Sequence, residues 1–252
     1  MRTEEGGDRV LTIGVDLAQS RDRTVLVAVD SFRLEPEPTI EEMNAINPVR
    51  DALRGRVRTP RAQLHHEIVH IDRLPAGIGY PDQVARIVQT ASALSVEETA
   101  GLVVDATGVG RPVVDMIRSA CEFPLRAVTI TGGSEVVKTG RDYSVPKADL
   151  VGVLEVTLST RRLHVVEGLP HSEELEKELR AFGYELGATG KPRYEGKGAH
   201  DDIVTALSLA LWGVERGASF GRDFKEFIRK DIERRRGFVG DLHRSQPKVN
   251  GV

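Results

Sequence analysis

The sequence predicts an α/β fold: a mixed five-stranded sheet flanked by helices on both faces, with an auxiliary β-ribbon and a basic C-terminal tail. Three observations carry this. Short β-branched runs alternate with longer runs of helical periodicity, in the order strand, strand, strand, helix, strand, helix, strand. One run, Gly101–Asp105 (GLVVD), is almost wholly apolar, as a central strand covered on both faces requires. The last helical run, His200–Val214 (HDDIVTALSLALWGV), is apolar on nearly every side, so it has to be buried.

The elements follow in order. Val10–Asp16 (VLTIGVD) and Thr24–Val29 (TVLVAV) read as strands joined by the polar turn LAQSRDR, an antiparallel pair. Residues 30–62 hold Pro36, Pro38, Pro48 and Pro60 with scattered arginines, and are expected as an insertion with a short helix near Ile40–Asn47. Leu64–Ile71 (LHHEIVHI) alternates as a third strand, with His66 and His70 expected on one face and His65 on the other. Tyr80–Leu94 starts with a proline in its first turn and repeats Val84, Ile87 and Val88 at helical spacing. After Gly101–Asp105, the helix Gly108–Ala120 places Val113, Val114 and Ile117 together, and Leu125–Ile130 is the next strand. Thr131–Val145 is Gly-rich and polar and reads as a loop. Pro146–Thr160 is a helix, Leu163–Val166 a short strand and Pro170–Phe182 a charged amphipathic helix. YEL and RYEG flank GATGKP in Gly183–Gly198, the pattern of a two-stranded ribbon. The tail, 218–252, carries nine Lys/Arg against five Asp/Glu, hence +4, and is expected to be helical to about Arg236.

Composition narrows the function. The 252 residues carry 35 Lys+Arg and 38 Asp+Glu, so a polyanion partner needs either a local basic patch or a metal site. A single cysteine, Cys121, excludes an intramolecular disulfide and a cysteine-built zinc site, and fits a reducing cytoplasm. No apolar stretch reaches the roughly 18–20 residues of a membrane span, and the start MRTEEGGDRV is not a secretory signal.

The chemistry lies in acids at special places. Asp16 ends the first strand, Asp105 ends a buried strand, and Asp201 and Asp202 open the buried final helix. A carboxylate at the end of a buried strand must be solvated, paired or bound to a cation. Acids from separate segments meeting at one sheet edge make an oxygen-rich site suited to Mg²⁺ or Mn²⁺. Two such ions about 3.5–4 Å apart clamp the attacking and leaving oxygens of a phosphodiester. Blander roles compete. Asp16 could simply form the turn, Asp105 could cap the next helix, and Asp201 could be an N-cap with Asp202 serving the helix dipole.

The segments IGVDLAQSRDRTVLVAV, LVVDATGVGRPVVDMI, YSVPKADLVGVLEVTL and AHDDIVTALSLALW, in that order from Leu11 to Trp212, resemble the nuclease domain of tailed-phage terminase large subunits. The more specific part is HDD leading into a buried helix, with PKADL upstream. The resemblance implies an RNase H-like fold over 1–217 and a bacteriophage DNA-packaging endonuclease, a hydrolase that cuts concatemeric viral DNA with divalent metal. It implies Asp16, Asp105 and Asp202 as catalytic metal-binding acids, Asp201 as an auxiliary ligand, and Asp22 at the position of an extra acid. Its partners would be double-stranded DNA, a separate terminase ATPase or small subunit and the portal, in the cytoplasm of a bacterial host. The chain carries no GxxxxGK[ST] phosphate loop, so it is expected not to translocate DNA alone. It would be a separate nuclease subunit, an isolated domain or a prophage remnant.

Other residues complete the candidates. His200 precedes the acid pair and could orient a water, and Lys147 could contact phosphate. Lys138 and Arg141 could bind DNA backbone phosphates, which positions DNA without reading sequence; the three cations could equally be solvated, and His200 a helix-entry histidine without a role. Three readings compete with the terminase-like nuclease. One is a RuvC-like junction resolvase. The second is a sugar-kinase or actin-like phosphotransferase, disfavoured by the glycine-free turn DLAQSRDR. The third is a non-catalytic DNA-binding or assembly module.

Overall fold

A computed structural model describes residues 9–18, 22–34, 63–95, 100–108, 110–186, 192–196 and 201–216. In chain order the elements are β1 (Val10–Asp16), β2 (Val25–Leu34), β3 (Gln63–Arg73), α1 (Tyr80–Leu94), β4 (Ala100–Asp105), α2 (Gly110–Ala120), β5 (Leu125–Thr131), β6 (Val137–Thr139), β7 (Asp142–Pro146), α3 (Lys147–Ser159), β8 (Leu163–Val165), α4 (Ser172–Ala181), β9 (Phe182–Leu186), β10 (Pro192–Gly196) and α5 (Asp202–Glu215).

The sheet runs β6-β7-β5-β4-β1-β2-β3-β8. β1 pairs antiparallel with β2 and β2 with β3, whereas β1–β4, β4–β5, β5–β7 and β3–β8 are parallel. The five expected strands are therefore the centre of a wider sheet. The addition on one side is β8, where a short strand was expected. On the other it is the β6–β7 hairpin, inside the segment read as a loop. All three residues of β6 are exposed, so no apolar alternation marked it. β2 continues to Leu34, into the expected insertion. The rest of that insertion and the tail 218–252 lie outside the described residues. The expected ribbon forms as β9–β10.

Each face of the sheet carries its own core. On one, Leu11, Ile13, Val15, Leu102 and Val104 meet Val84 and Ile87 of α1 and Val113, Val114 and Ile117 of α2. On the other, Val25, Val27, Val29, Val103 and Val128 meet α3, Leu175 of α4 and most of α5. From Ile203 to Gly213 only Thr205 of α5 escapes full burial, as its near-uniform apolarity predicts. Two glycines let α5 lie directly on the sheet. A Cβ on Gly14 of β1 would stand 1.9 Å from the Ala206 carbonyl oxygen, and one on Gly213 would stand 2.6 Å from Val103 Cγ2. α5 thus runs antiparallel to β1, with its N-terminus over the end of β1 that carries Asp16.

β3 holds a bulge. Val29 pairs with Ile68 but Ala28 pairs with His70, so Val69 is an extra residue. The bulge inverts the alternation beyond it. His66 and Ile68 face α5 before the bulge, and Ile71 faces it after. His66 and His70 therefore do not share a face, contrary to the expectation from alternation. His66 is fully buried between Ser31 Oγ (2.9 Å) and Glu215 Oε1 (3.1 Å). His70 lies on the side of Asp72 and Arg86, and His65 hydrogen-bonds the imidazole of His164 at 3.1 Å. No helix among the described residues is long and apolar enough to cross a membrane.

Candidate metal centre

β1, β3, β4, β5 and β7 all point the same way, so their C-terminal ends share one edge of the sheet. Val15 pairs with Val104, which sets the next residues, Asp16 and Asp105, side by side on adjacent strands. Side chains alternate along a strand. Because Gly14 and Val103 face α5, Asp16 and Asp105, two residues further on, face it too. Asp202 precedes Ala206, the residue over Gly14, by one helical turn. β7 runs directly into α3, and this places Lys147 at the same edge. Residues far apart in the chain are thus gathered by register and by one close helix–strand contact.

The electrostatics reflect this gathering. Burial pushes the Asp16 carboxyl well above the usual carboxylate range, and the charges of Asp105, Asp202 and Asp201 push it further, against the pull of Lys147. Burial also raises Asp105. Its Oδ1 accepts the Thr107 N–H at 2.7 Å, and Lys147 opposes the shift. The bond to Thr107 closes a local turn ahead of α2, which starts at Gly110, and is not a cap on that helix. Thr107 is held in turn, its Oγ1 accepting the Ile130 N–H of β5 at 2.8 Å.

The acid pair at α5 is arranged differently from a simple N-cap. Asp201 occupies the N-cap position but makes no side-chain cap hydrogen bond. Its carboxylate pairs with Lys147 Nζ at 3.2 Å. The cap comes from α4, where Glu178 Oε2 accepts the N–H groups of Ile203 (2.9 Å) and Val204 (3.3 Å). Burial raises the Glu178 carboxyl, although both N–H bonds and Arg73 favour its charged form. Asp202 pairs with Arg73 at 3.8 Å, and only 17% of each side chain is exposed.

Arg73, Glu178 and Thr107 are site residues that sequence reasoning missed. Alternation through β3 would have turned Arg73 away from α5, and the Val69 bulge returns it. Glu178 lies in the charged run SEELEKELRA, where nothing local distinguishes it from its solvated neighbours. The remaining candidates fall outside this group. Asp22 is exposed and is not one of the charges that shift Asp16. Lys138 and Arg141 are exposed on the β6–β7 hairpin, with Lys138 Nζ 5.6 Å from the Tyr143 ring centroid. His200 lies outside the described residues.

The donors at this edge are all carboxylate oxygens, the ligand set of hard divalent cations. Among the described residues, however, no three His, Cys, Asp or Glu side chains stand close enough to form a ready cage. The chemistry of the donor set fits such a cation, with Asp201 and Asp202 turned to Lys147 and Arg73.

The strand order and the helices on both faces make a mixed α/β architecture of RNase H-like type. Among solved structures the chain is similar to the large terminase nuclease of the thermophilic phage G20c. The identity is 19%, with 82% of this chain and 83% of that one covered and a TM-score of 0.50. A magnesium-bound structure of that nuclease gives 23%, 81%, 81% and 0.52 in the same order. The large terminase nuclease domain of Thermus phage P74-26 gives 22%, 82%, 81% and 0.52. At these identities the likeness concerns the fold: this chain is built as phage large-terminase nuclease domains are built. No protein-family model and no curated protein sequence matches the chain.

Proposed function

We propose that this chain is a divalent-metal-dependent endodeoxyribonuclease of the terminase kind, acting on double-stranded DNA. The observation that carries this is the convergence of Asp16, Asp105, Asp201 and Asp202 at one sheet edge, where burial and mutual repulsion hold Asp16 far from its ordinary ionisation. A site that concentrates negative charge in a partly dry setting is stabilised by a cation, and DNA brings its own phosphates to it. The magnesium-bound G20c nuclease, which shares the fold, supports the choice of ion.

In this reading Asp16, Asp105 and Asp202 hold Mg²⁺ or Mn²⁺, with Asp201 joining them. Two such ions, when bound, would supply positive charge for the entering and leaving oxygens of the phosphodiester. Thr107 fixes the orientation of Asp105, and Glu178 fixes the start of α5 and with it the acid pair. Lys138 and Arg141, exposed on the hairpin, bind backbone phosphates. His200 and Asp22 serve as accessory groups. Residues 1–217 form the nuclease with its insertion 30–62, and the basic tail 218–252 adds affinity for DNA or for a terminase ATPase, small subunit or portal.

The test is incubation of supercoiled plasmid with the protein in Mg²⁺, Mn²⁺ or EDTA, beside Asp105→Asn. Nicked and linear products with metal, their absence in EDTA and their loss in the variant are expected. Normal cleavage by Asp105→Asn refutes the assignment.

A further inference from the structure

The two acids that open α5 are each paired with a cation of the protein's own. Lys147 reaches Asp201 from the start of α3, and Arg73 reaches Asp202 from the end of β3. These pairs come from two different sides of the edge. They also account for the absence of a ready cage, because two of the four carboxylates are engaged elsewhere.

The two cations are not equivalent. Arg73 is the more enclosed, and it sits between Asp202 and Glu178, the residue that caps α5. Moving it would disturb the cap. Lys147 is 34% exposed and its partner Asp201 is 31% exposed, so water can replace either partner. Its Nζ also lies 6.0 Å from the Phe182 ring centroid, within reach of a cation–π contact. That contact accompanies the ion pair in the same position, so the ammonium rests between the Asp201 carboxylate and the Phe182 ring.

Resting on the nuclease reading above, we infer that Lys147 is a resident surrogate cation: it occupies Asp201 in the metal-free protein, and a divalent ion must displace it to complete the site. Arg73 is the fixed counterpart that keeps Asp202 in place. The consequence is a metal site that stays folded when empty and gives up part of its affinity for that stability.

The experiment is calorimetric titration of Mn²⁺ into the metal-stripped full chain at mildly alkaline pH, comparing wild type, Lys147→Met and Lys147→Arg. Lys147→Met keeps the length of the stem and removes the competitor, so Mn²⁺ should bind about two- to fivefold tighter, the scale of a half-exposed ion pair. Lys147→Arg keeps the competitor and should bind no tighter than wild type. Thermal unfolding without metal should show Lys147→Met below wild type, with the larger rise on adding Mn²⁺. Wild-type binding with an equal or weaker Lys147→Met overturns the surrogate-cation role and leaves the nuclease reading standing. Failure of both proteins to bind Mn²⁺ overturns both.

Discussion

Asp16 shows how a single residue sets the behaviour of the site. Its folded-state carboxyl is raised above the ordinary value by burial and by three neighbouring acids. A raised carboxyl contributes stability below its unfolded value of 3.8, and that contribution is lost as pH climbs through the folded value. The metal-free protein should therefore lose stability as pH rises above about 4. Asp16→Asn should reduce that slope and unfold at a higher temperature than wild type at neutral pH without metal, while losing Mn²⁺ binding. Differential scanning calorimetry across pH checks this; equal slopes in the two proteins contradict it. Glu215 behaves in the opposite sense. Hydrogen bonds from His66 and Arg162 lower its carboxyl from 4.5 to about 2, so its contribution is present above 4.5 and lost as pH falls toward 2. Glu215→Gln should lose about 1–3 kcal/mol at neutral pH, the scale of hydrogen bonds to a charged group. Its acid limb between those two values should be flatter. Urea titrations at several pH values measure both.

At the scale of the element, α5 is held by contacts that leave no room for adjustment. Gly14→Ala would drive a methyl into the Ala206 carbonyl, backbone against backbone, so we expect a loss of about 3 kcal/mol or more. A loss below about 1 kcal/mol in denaturant unfolding would mean that α5 stands off the strand. The start of α5 depends on a cap from another helix. Glu178→Ala should cost about 1–2 kcal/mol and weaken Mn²⁺ binding by freeing Asp202 to shift, whereas Glu178→Gln should retain most of both. The same elements show what a sequence can and cannot reveal. α5 was legible because its residues are apolar on nearly every side, and Asp202 was legible because it opens that helix. Asp16 and Asp105 were legible because each ends an apolar strand. Arg73 was not, since one inserted residue, Val69, reverses the faces of everything after it. Glu178 was not, since its partners lie in another helix and the N-cap position already held an acid, Asp201. The β6–β7 hairpin escaped because its outer strand is exposed throughout and leaves no apolar pattern.

For the whole molecule, the sheet acts as a frame that brings chain ends to one edge. Parallel pairing of β1, β4, β5 and β7 places Asp16, Asp105 and Lys147 together, and antiparallel β2 turns β3 so that Arg73 finishes there too. Helices on both faces close the core, so the edge is where polar chemistry can sit without disturbing it. Activity on DNA should rise from acidic to mildly alkaline pH as the raised carboxyls of Asp16 and Asp105 ionise. The most direct test is to locate the ion itself, by anomalous scattering at the manganese edge from crystals of the full chain grown with Mn²⁺. Density between the carboxylates of Asp16, Asp105 and Asp202 is the predicted result. Manganese bound only elsewhere, with Asp202 still paired with Arg73 and Asp201 with Lys147, would contradict it.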